Sequence, residues 1–252
     1  MSTLVLIRHG RSTSNSAGTL AGRTPGVTLD DVGRTQAEAL GERLRGVTPA
    51  AVVCSPLERC QQTIALAREV AGFDTDISTD DRVQETDYGS WSGRLLADLA
   101  KEPEWATVQT SPSTAVFPDG ERMHDVRDRM VEAVLDWNAR LPTDAVWLLV
   151  SHGDPITGLL SWALGMPYDR VQSLMVDPAS TSVIHLPSAE ALSASREGGS
   201  GDPSAIVRVA TVNAVAGPVA SFVRQPAAPG AQVGGGVGAT GSDHAGASTV
   251  AP

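Results

Sequence analysis

With 252 residues the chain is long enough to bury a sizeable core, and an aromatic fraction of only 4% means that core must be built from small aliphatic side chains. A formal net charge of -10 repels polyanions and argues against a general nucleic-acid or anionic-membrane surface. No window approaches the roughly 18 apolar residues of a membrane span.

The apolar run at residues 4–7 has no basic segment before it and no small-residue cleavage site after it. It does not read as a signal peptide, and a cytoplasmic location is the expectation. "TLVLIRH" (3–9) is instead a short, continuous apolar run of the kind found in a strand buried on both faces, and it ends in Arg8 and His9. Residues 31–45 then follow helical spacing, with Val32, Ala37, Leu40 and Leu44 on one side.

"AAVVCS" (50–55) repeats the buried-strand character and leads into "SPLERCQQTIALAREV". There Ser55 is the expected helix N-cap, Pro56 the first helical position and Glu58 the capping-box partner, which places Arg59 in the first turn. Cys54 and Cys60, two cysteines in an apolar setting, read as reduced, buried thiols rather than a metal ladder or a disulfide framework.

Residues 123–141 place Met123, Val126, Met130, Val134, Trp137 and Leu141 on one helical face. "AVWLLVSH" (145–152) is a third buried strand. The next helix is expected to start at Asp154 as cap and Pro155 as first position, and to close at Gly165. "TSVIHLP" and "AIVRVATVN" read as two strands of a hairpin joined by a long polar connection over 188–204. From residue 226 to 252 the chain is Gly, Ala, Pro and Ser with hardly any large apolar residue, so it is expected to be a disordered tail after a domain spanning 1–225. Alternation of strands and helices points to an α/β fold.

Chemistry-bearing residues cluster in this pattern. Arg8 and His9 end the first strand, Arg59 follows the second, and His152 follows "AVWLLVS". The carboxyl edge of an open α/β sheet is where ligands bind. Basic groups gathered there in an acidic protein point to an anion, and phosphate suits arginine forks and helix N-termini together.

"LIRHGRSTSN" resembles the opening block of the histidine phosphatase superfamily, the phosphoglycerate mutase-like phosphatases. The resemblance continues through "LAGRTPGVTLDDVGRTQAEAL", "VVCSPLERCQQT", "VQETDYGSWSG" and "LLVSHGDPI", covering roughly residues 3–165. It implies a three-layer sandwich with a mostly parallel central sheet and helices on both faces. It also implies that His9 takes the phosphoryl group, that Arg8, Asn15, Arg59 and His152 bind the phosphate, and that Glu85 donates a proton, with His152 counted among the catalytic groups. No metal and no cofactor are expected, and the partner is a small-molecule phosphate monoester. A homodimer is a possible state.

Within the family, phosphoglycerate mutases carry Glu-Arg-His-Tyr-Gly where this chain reads "ETDYG", and they have a long insertion before the next glycine-rich turn. Here the path from Gly93 to "FPDGER" is short, which leaves little material for a lid and favours hydrolysis over isomerisation. A mutase-type transfer, or a non-catalytic module that binds phosphorylated ligands, is the alternative. Ser12 is a candidate polar contact. Arg11 and Arg23 either add positive charge at the pocket mouth, favouring a second anionic group on the substrate, or face solvent. Tyr88 and Trp91 either wall the pocket or pack their turn, and Glu121 and Arg122 are candidate substrate contacts.

Overall fold

The computed structural model describes residues 1–196 and 206–219. Six strands form one sheet: β1 (Ser2–Arg8), β2 (Ala51–Cys54), β3 (Ile77–Thr79), β4 (Val146–Ser151), β5 (Thr181–Leu186) and β6 (Arg208–Ala214), in the order β3-β2-β4-β1-β5-β6. The first four of that order run parallel, while β5 is antiparallel to both β1 and β6. The mostly parallel α/β sandwich expected from the sequence is the observed fold.

Alternation along β1 divides the interior into two layers. Leu4 and Leu6 point to one face, where they meet α6 (Met123–Arg140) and α7 (Gly153–Ala163) through Met130, Val134, Ile156 and Leu160. Val5 and Ile7 point to the other, against α2 (Asp31–Leu44) and α3 (Glu58–Ala71) through Leu40, Leu44, Cys60 and Ile64. A strand covered on both faces has no need of polar alternation, which is why "LVLI" is continuous in the sequence.

A third apolar cluster lies beside the sheet and contains Tyr88, Trp91, Leu99, Phe117 and Tyr168. It holds the path from Gly93 to Phe117, which folds into two short helices, α4 (Leu96–Leu99) and α5 (Pro103–Thr110), rather than a bare connection. Trp91 packs edge-on against Phe117 with ring centroids 5.5 Å apart, so this tryptophan packs its turn.

Several expectations are corrected. Ser55 does not cap α3, which begins at Glu58 with Leu57 as N-cap; the Ser55 hydroxyl accepts from the Leu57 N–H at 3.3 Å and lies 2.8 Å from His152 Nε2 across the sheet edge. α7 is capped at His152, so Asp154 lies inside its first turn. Val32 is 44% exposed and belongs to the solvent side of α2. The two C-terminal strands pair as expected, but their connection is helical at its start, as α8 (Ala189–Arg196). The remainder of that connection, 197–205, and the 226–252 tail lie outside the described residues.

Two short elements carry the nucleophile candidate to its place. After β1 the chain passes Gly10 and enters α1 (Thr13–Ala17), whose N-cap Ser12 and Asn15 form a reciprocal capping box. Gly10 lies on the first turn of α2: a Cβ on Gly10 would stand 2.6 Å from the Gly33 carbonyl oxygen, and one on Gly33 would stand 1.9 Å from that of Arg11. The close backbone approach at Gly10 is therefore to α2. Gly33→Ala must push these segments apart. It is expected to cost roughly 1–3 kcal/mol of stability by denaturant unfolding, as overpacking does; an unchanged midpoint would show that the contact yields freely.

Candidate active site

Three strand ends build the site. β1 and β4 are paired in register to their last residues, Arg8 opposite Ser151, and the His9 N–H donates to the Ser151 carbonyl at 3.1 Å. His9 and His152 are thus the next residues on neighbouring strands, and their rings lie 5.1 Å apart between centroids. Arg59 reaches them from the first turn of α3, beside β2. These three side chains are buried: His9 is 3%, Arg59 1% and His152 0% exposed.

Hydrogen bonds define the state of His9. Its Nδ1 lies 2.7 Å from the Gly10 carbonyl, which can only accept, so Nδ1 carries the proton. The Nε2 lone pair accepts from Arg59 Nε at 3.2 Å. Burial, then the charges of Arg59 and Arg8, hold the His9 pKa well below the usual imidazole range. The ring is neutral at physiological pH.

Burial, then Arg59 and its neighbour His9, hold His152 well below the usual imidazole range, so it is neutral and adds no positive charge. Its Nε2 is 2.8 Å from Ser55 Oγ and 3.4 Å from Cys60 Sγ. It packs beside His9 but is not among the residues lining the cavity. Cys54 and Cys60 are free and buried, and burial pushes the Cys60 thiol up to about 12, as expected of inert thiols.

A cavity of about 370 Å³ opens over this edge, walled by Arg8, His9, Ser12, Asn15, Arg59 and Glu85 among others. Arg8 donates from one terminal nitrogen to the Val176 carbonyl at 2.6 Å, and its Nε is a buried donor with no acceptor among the described residues. Arg59 donates to the Gly22 carbonyl at 2.9 Å. Asn15 lines the cavity while its Oδ1 accepts from the Ser12 backbone and hydroxyl. Two guanidinium groups and a neutral imidazole that presents Nε2 make an arrangement suited to a tetrahedral oxyanion.

Arg11 and Arg23 are drawn off by carboxylates. Arg11 Nε pairs with Asp30 at 2.7 Å, and Arg23 pairs with Glu121 at 2.9 Å while donating to the Glu85 carbonyl at 3.0 Å. Neither lines the cavity, and neither do Glu121 and Arg122. Tyr88 does, and its hydroxyl donates to Asp154 at 2.8 Å.

Glu85 is 8% exposed, and its Oε1 accepts from the Thr86 N–H at 2.9 Å. Burial first and the neighbouring Asp154 carboxylate second push it up to about 7. Its backbone is clamped from α6 by Arg129, which donates to the carbonyls of Arg82, Gln84 and Glu85 and pairs with Glu121.

Asp154 and Arg129 were not legible as site residues. One sits in a helix start that reads as a cap, and the other on a helix face whose partners are distant in sequence. Among the described residues no group of three or more His, Cys, Asp or Glu side chains could hold a metal ion. No helix of the described residues is long and apolar enough to cross a membrane.

Residues 4–193 match the family model of the histidine phosphatase superfamily (branch 1). Over 184 residues, 72% of this chain and 84% of the relative, the chain is 32% identical to the probable phosphoglycerate mutase GpmB of Yersinia pestis (strain Pestoides F). A solved mycobacterial glucosyl-3-phosphoglycerate phosphatase, in complex with VO3, is similar at a TM-score of 0.70 and 28% identity, covering 84% of this chain and 98% of that one. Bacillus stearothermophilus YhfR is similar at a TM-score of 0.69 and 28% identity, covering 74% and 92%.

The paired carboxyls give a direct test. Glu85 should titrate near neutrality by carbon NMR of its labelled carboxyl, and Asp154→Asn should move that titration downward because the neighbouring negative charge is gone. A Glu85 titration that stays in place in the variant would mean that burial alone sets it.

Proposed function

The chain belongs to the histidine phosphatase superfamily (branch 1), a superfamily of phosphatases and mutases, and on that premise we propose that it hydrolyses phosphate monoesters through a phosphohistidine formed on His9, without a metal ion. The observation that carries the reading is the His9 tautomer. The Gly10 carbonyl keeps the proton on Nδ1, so the Nε2 lone pair is the one directed at the Arg59 side of the cavity.

In the first step Nε2 attacks phosphorus and the bond to the ester oxygen breaks. The departing alkoxide takes the Glu85 proton. In the second step water attacks the phosphoryl group, ionised Glu85 takes the water proton, and the N–P electron pair returns to Nε2 as inorganic phosphate forms. Arg8 and Arg59 hold the phosphoryl oxygens and offset the charge that develops on them. Asn15 and Ser12 are polar contacts at the cavity wall, and His152 steadies His9 by packing against its ring.

Glu85 is suited to both halves of this cycle. With its carboxyl pushed up to about 7 it is substantially protonated near neutrality, where an ordinary glutamate would be ionised, and it can still give up the proton. A second reading, phosphoryl return to give an isomerised product, is favoured by the 32% identity to a protein named as a probable phosphoglycerate mutase. Incubation with 3-phosphoglycerate separates the two: phosphate release without the 2-isomer supports hydrolysis, and the 2-isomer without phosphate release supports the mutase.

His9→Ala should trap no phosphoenzyme in acid quench and should lose nearly all turnover; a trapped phosphoenzyme in that variant would mean that another residue is the nucleophile. Activity should persist in EDTA. Because the reacting form of Glu85 is the protonated one, kcat/KM for alkyl phosphates should fall as pH rises through about 7. Glu85→Gln should remove that descending limb and cost about 10² to 10⁴ in rate on alkyl phosphates, with a smaller loss on p-nitrophenyl phosphate, whose leaving group needs less protonation. Equal losses on both ester types would assign Glu85 a structural role.

A further inference from the structure

The charges around the cavity are unevenly placed. Among the described residues that line it, the side chains with a fixed positive charge are Arg8 and Arg59, both beside His9 at the sheet edge. The other ionisable carboxyl groups on the wall are Glu85, Asp154 and Asp177. Arg11 and Arg23, which could have extended the positive region outward, are paired with Asp30 and Glu121 and do not reach the wall.

Two of these carboxylates, Asp154 and Asp177, lie on the cavity wall outside the groups proposed to react. Asp154 lies in the first turn of α7 with Thr157, also on the wall, one turn further on. Its Oδ2 accepts from Tyr88 and Thr86, at 2.8 and 3.4 Å, and its Oδ1 has no donor among the described residues. Asp177 is exposed at the rim; its Oδ2 accepts from Asn213 Nδ2 at 2.8 Å, and its Oδ1 likewise has no donor among the described residues. Gln172 and Thr157 add uncharged polar groups to the same wall, and Leu174 and Met175 add apolar surface.

We propose that the cavity selects phosphate esters of uncharged, hydroxyl-bearing alcohols and disfavours esters carrying a second anionic group. A bound phosphate dianion already matches the two guanidinium charges. A carboxylate or second phosphate elsewhere on the substrate would have no cation to meet and would approach Asp154 and Asp177, in a molecule whose net charge is -10. A hydroxyl group on that part of the substrate can instead donate to the open carboxylate oxygens, a charge-assisted hydrogen bond. Near neutrality Glu85 and Asp154 resist each other's ionisation, yet with one proton between them the pair still carries a negative charge. The inference rests on the proposed phosphate-ester reading and names the substrate class for it.

Glycerol 3-phosphate and 3-phosphoglycerate form a matched pair, with a terminal CH2OH in one and a carboxylate in the other. Their dissociation constants are measured by calorimetry on the His9→Ala protein, which holds the ester without turning it over. Glycerol 3-phosphate is expected to bind about tenfold more tightly or better, in line with the cost of like charges brought together in an interface. In the His9→Ala/Asp177→Asn protein, which removes a wall carboxylate outside the Glu85–Asp154 pair, the ratio should shrink towards one. Equal affinities, tighter binding of 3-phosphoglycerate, or binding of neither overturns the inference.

The wild-type protein assayed with p-nitrophenyl phosphate keeps the two proposals apart. Turnover together with a preference for 3-phosphoglycerate sinks the substrate class alone. Absence of turnover sinks the catalytic reading, while the calorimetric order still reports on the charge of the wall.

Discussion

The in-register parallel pairing of β1 with β4 is the constraint on which the site depends. Because Arg8 stands opposite Ser151, the next residue on each strand is a histidine, and the two rings meet at the same edge. A slip of one residue would turn one imidazole into an apolar layer and expose an aliphatic side chain in its place. Register here is guarded by burial on both faces: Leu4 and Leu6 are committed to the α6–α7 layer and Val5 and Ile7 to the α2–α3 layer. The same contacts that make the core therefore aim the two imidazoles.

Around that fixed pair the remaining groups arrive by longer routes. Arg59 is delivered by the start of α3, and Glu85 by a turn that has little regular structure of its own. What stabilises that turn is Arg129, whose planar fork reaches three successive parts of the 82–85 backbone while its charge is matched by Glu121. Arginine suits this task because one rigid side chain can satisfy several carbonyls at once. Arg23 pairs with the same carboxylate. A residue that resembled a substrate contact in the linear sequence is thus part of the frame that holds Glu85.

The sheet was readable because strands buried on both faces leave an unbroken apolar run, as in "LVLI" and "WLLV". The positions of His9 and His152 were readable from the same runs, since each follows directly on a strand, and that of Arg59 from the helix start after the second. Other features depend on partners that no local pattern reveals. Ser55 has every sign of an N-cap, but its hydroxyl meets a histidine 97 residues away, and the helix begins later. Arg11 and Arg23 are cationic in sequence and neutralised in space. Asp154 reads as a cap until Tyr88, 66 residues distant, is seen to donate to it.

The bond from His9 Nδ1 to the Gly10 carbonyl links a side chain to the peptide group that follows it. Every residue type carries that carbonyl, so no substitution of a partner side chain can remove the acceptor. The cavity wall can be rewritten residue by residue, through Asp154, Thr157 or Gln172, while the protonation pattern of the imidazole stays encoded in the main chain. The lining of the cavity and the tautomer of the imidazole are in this way assigned to different parts of the polymer, one open to mutation and the other common to all twenty amino acids.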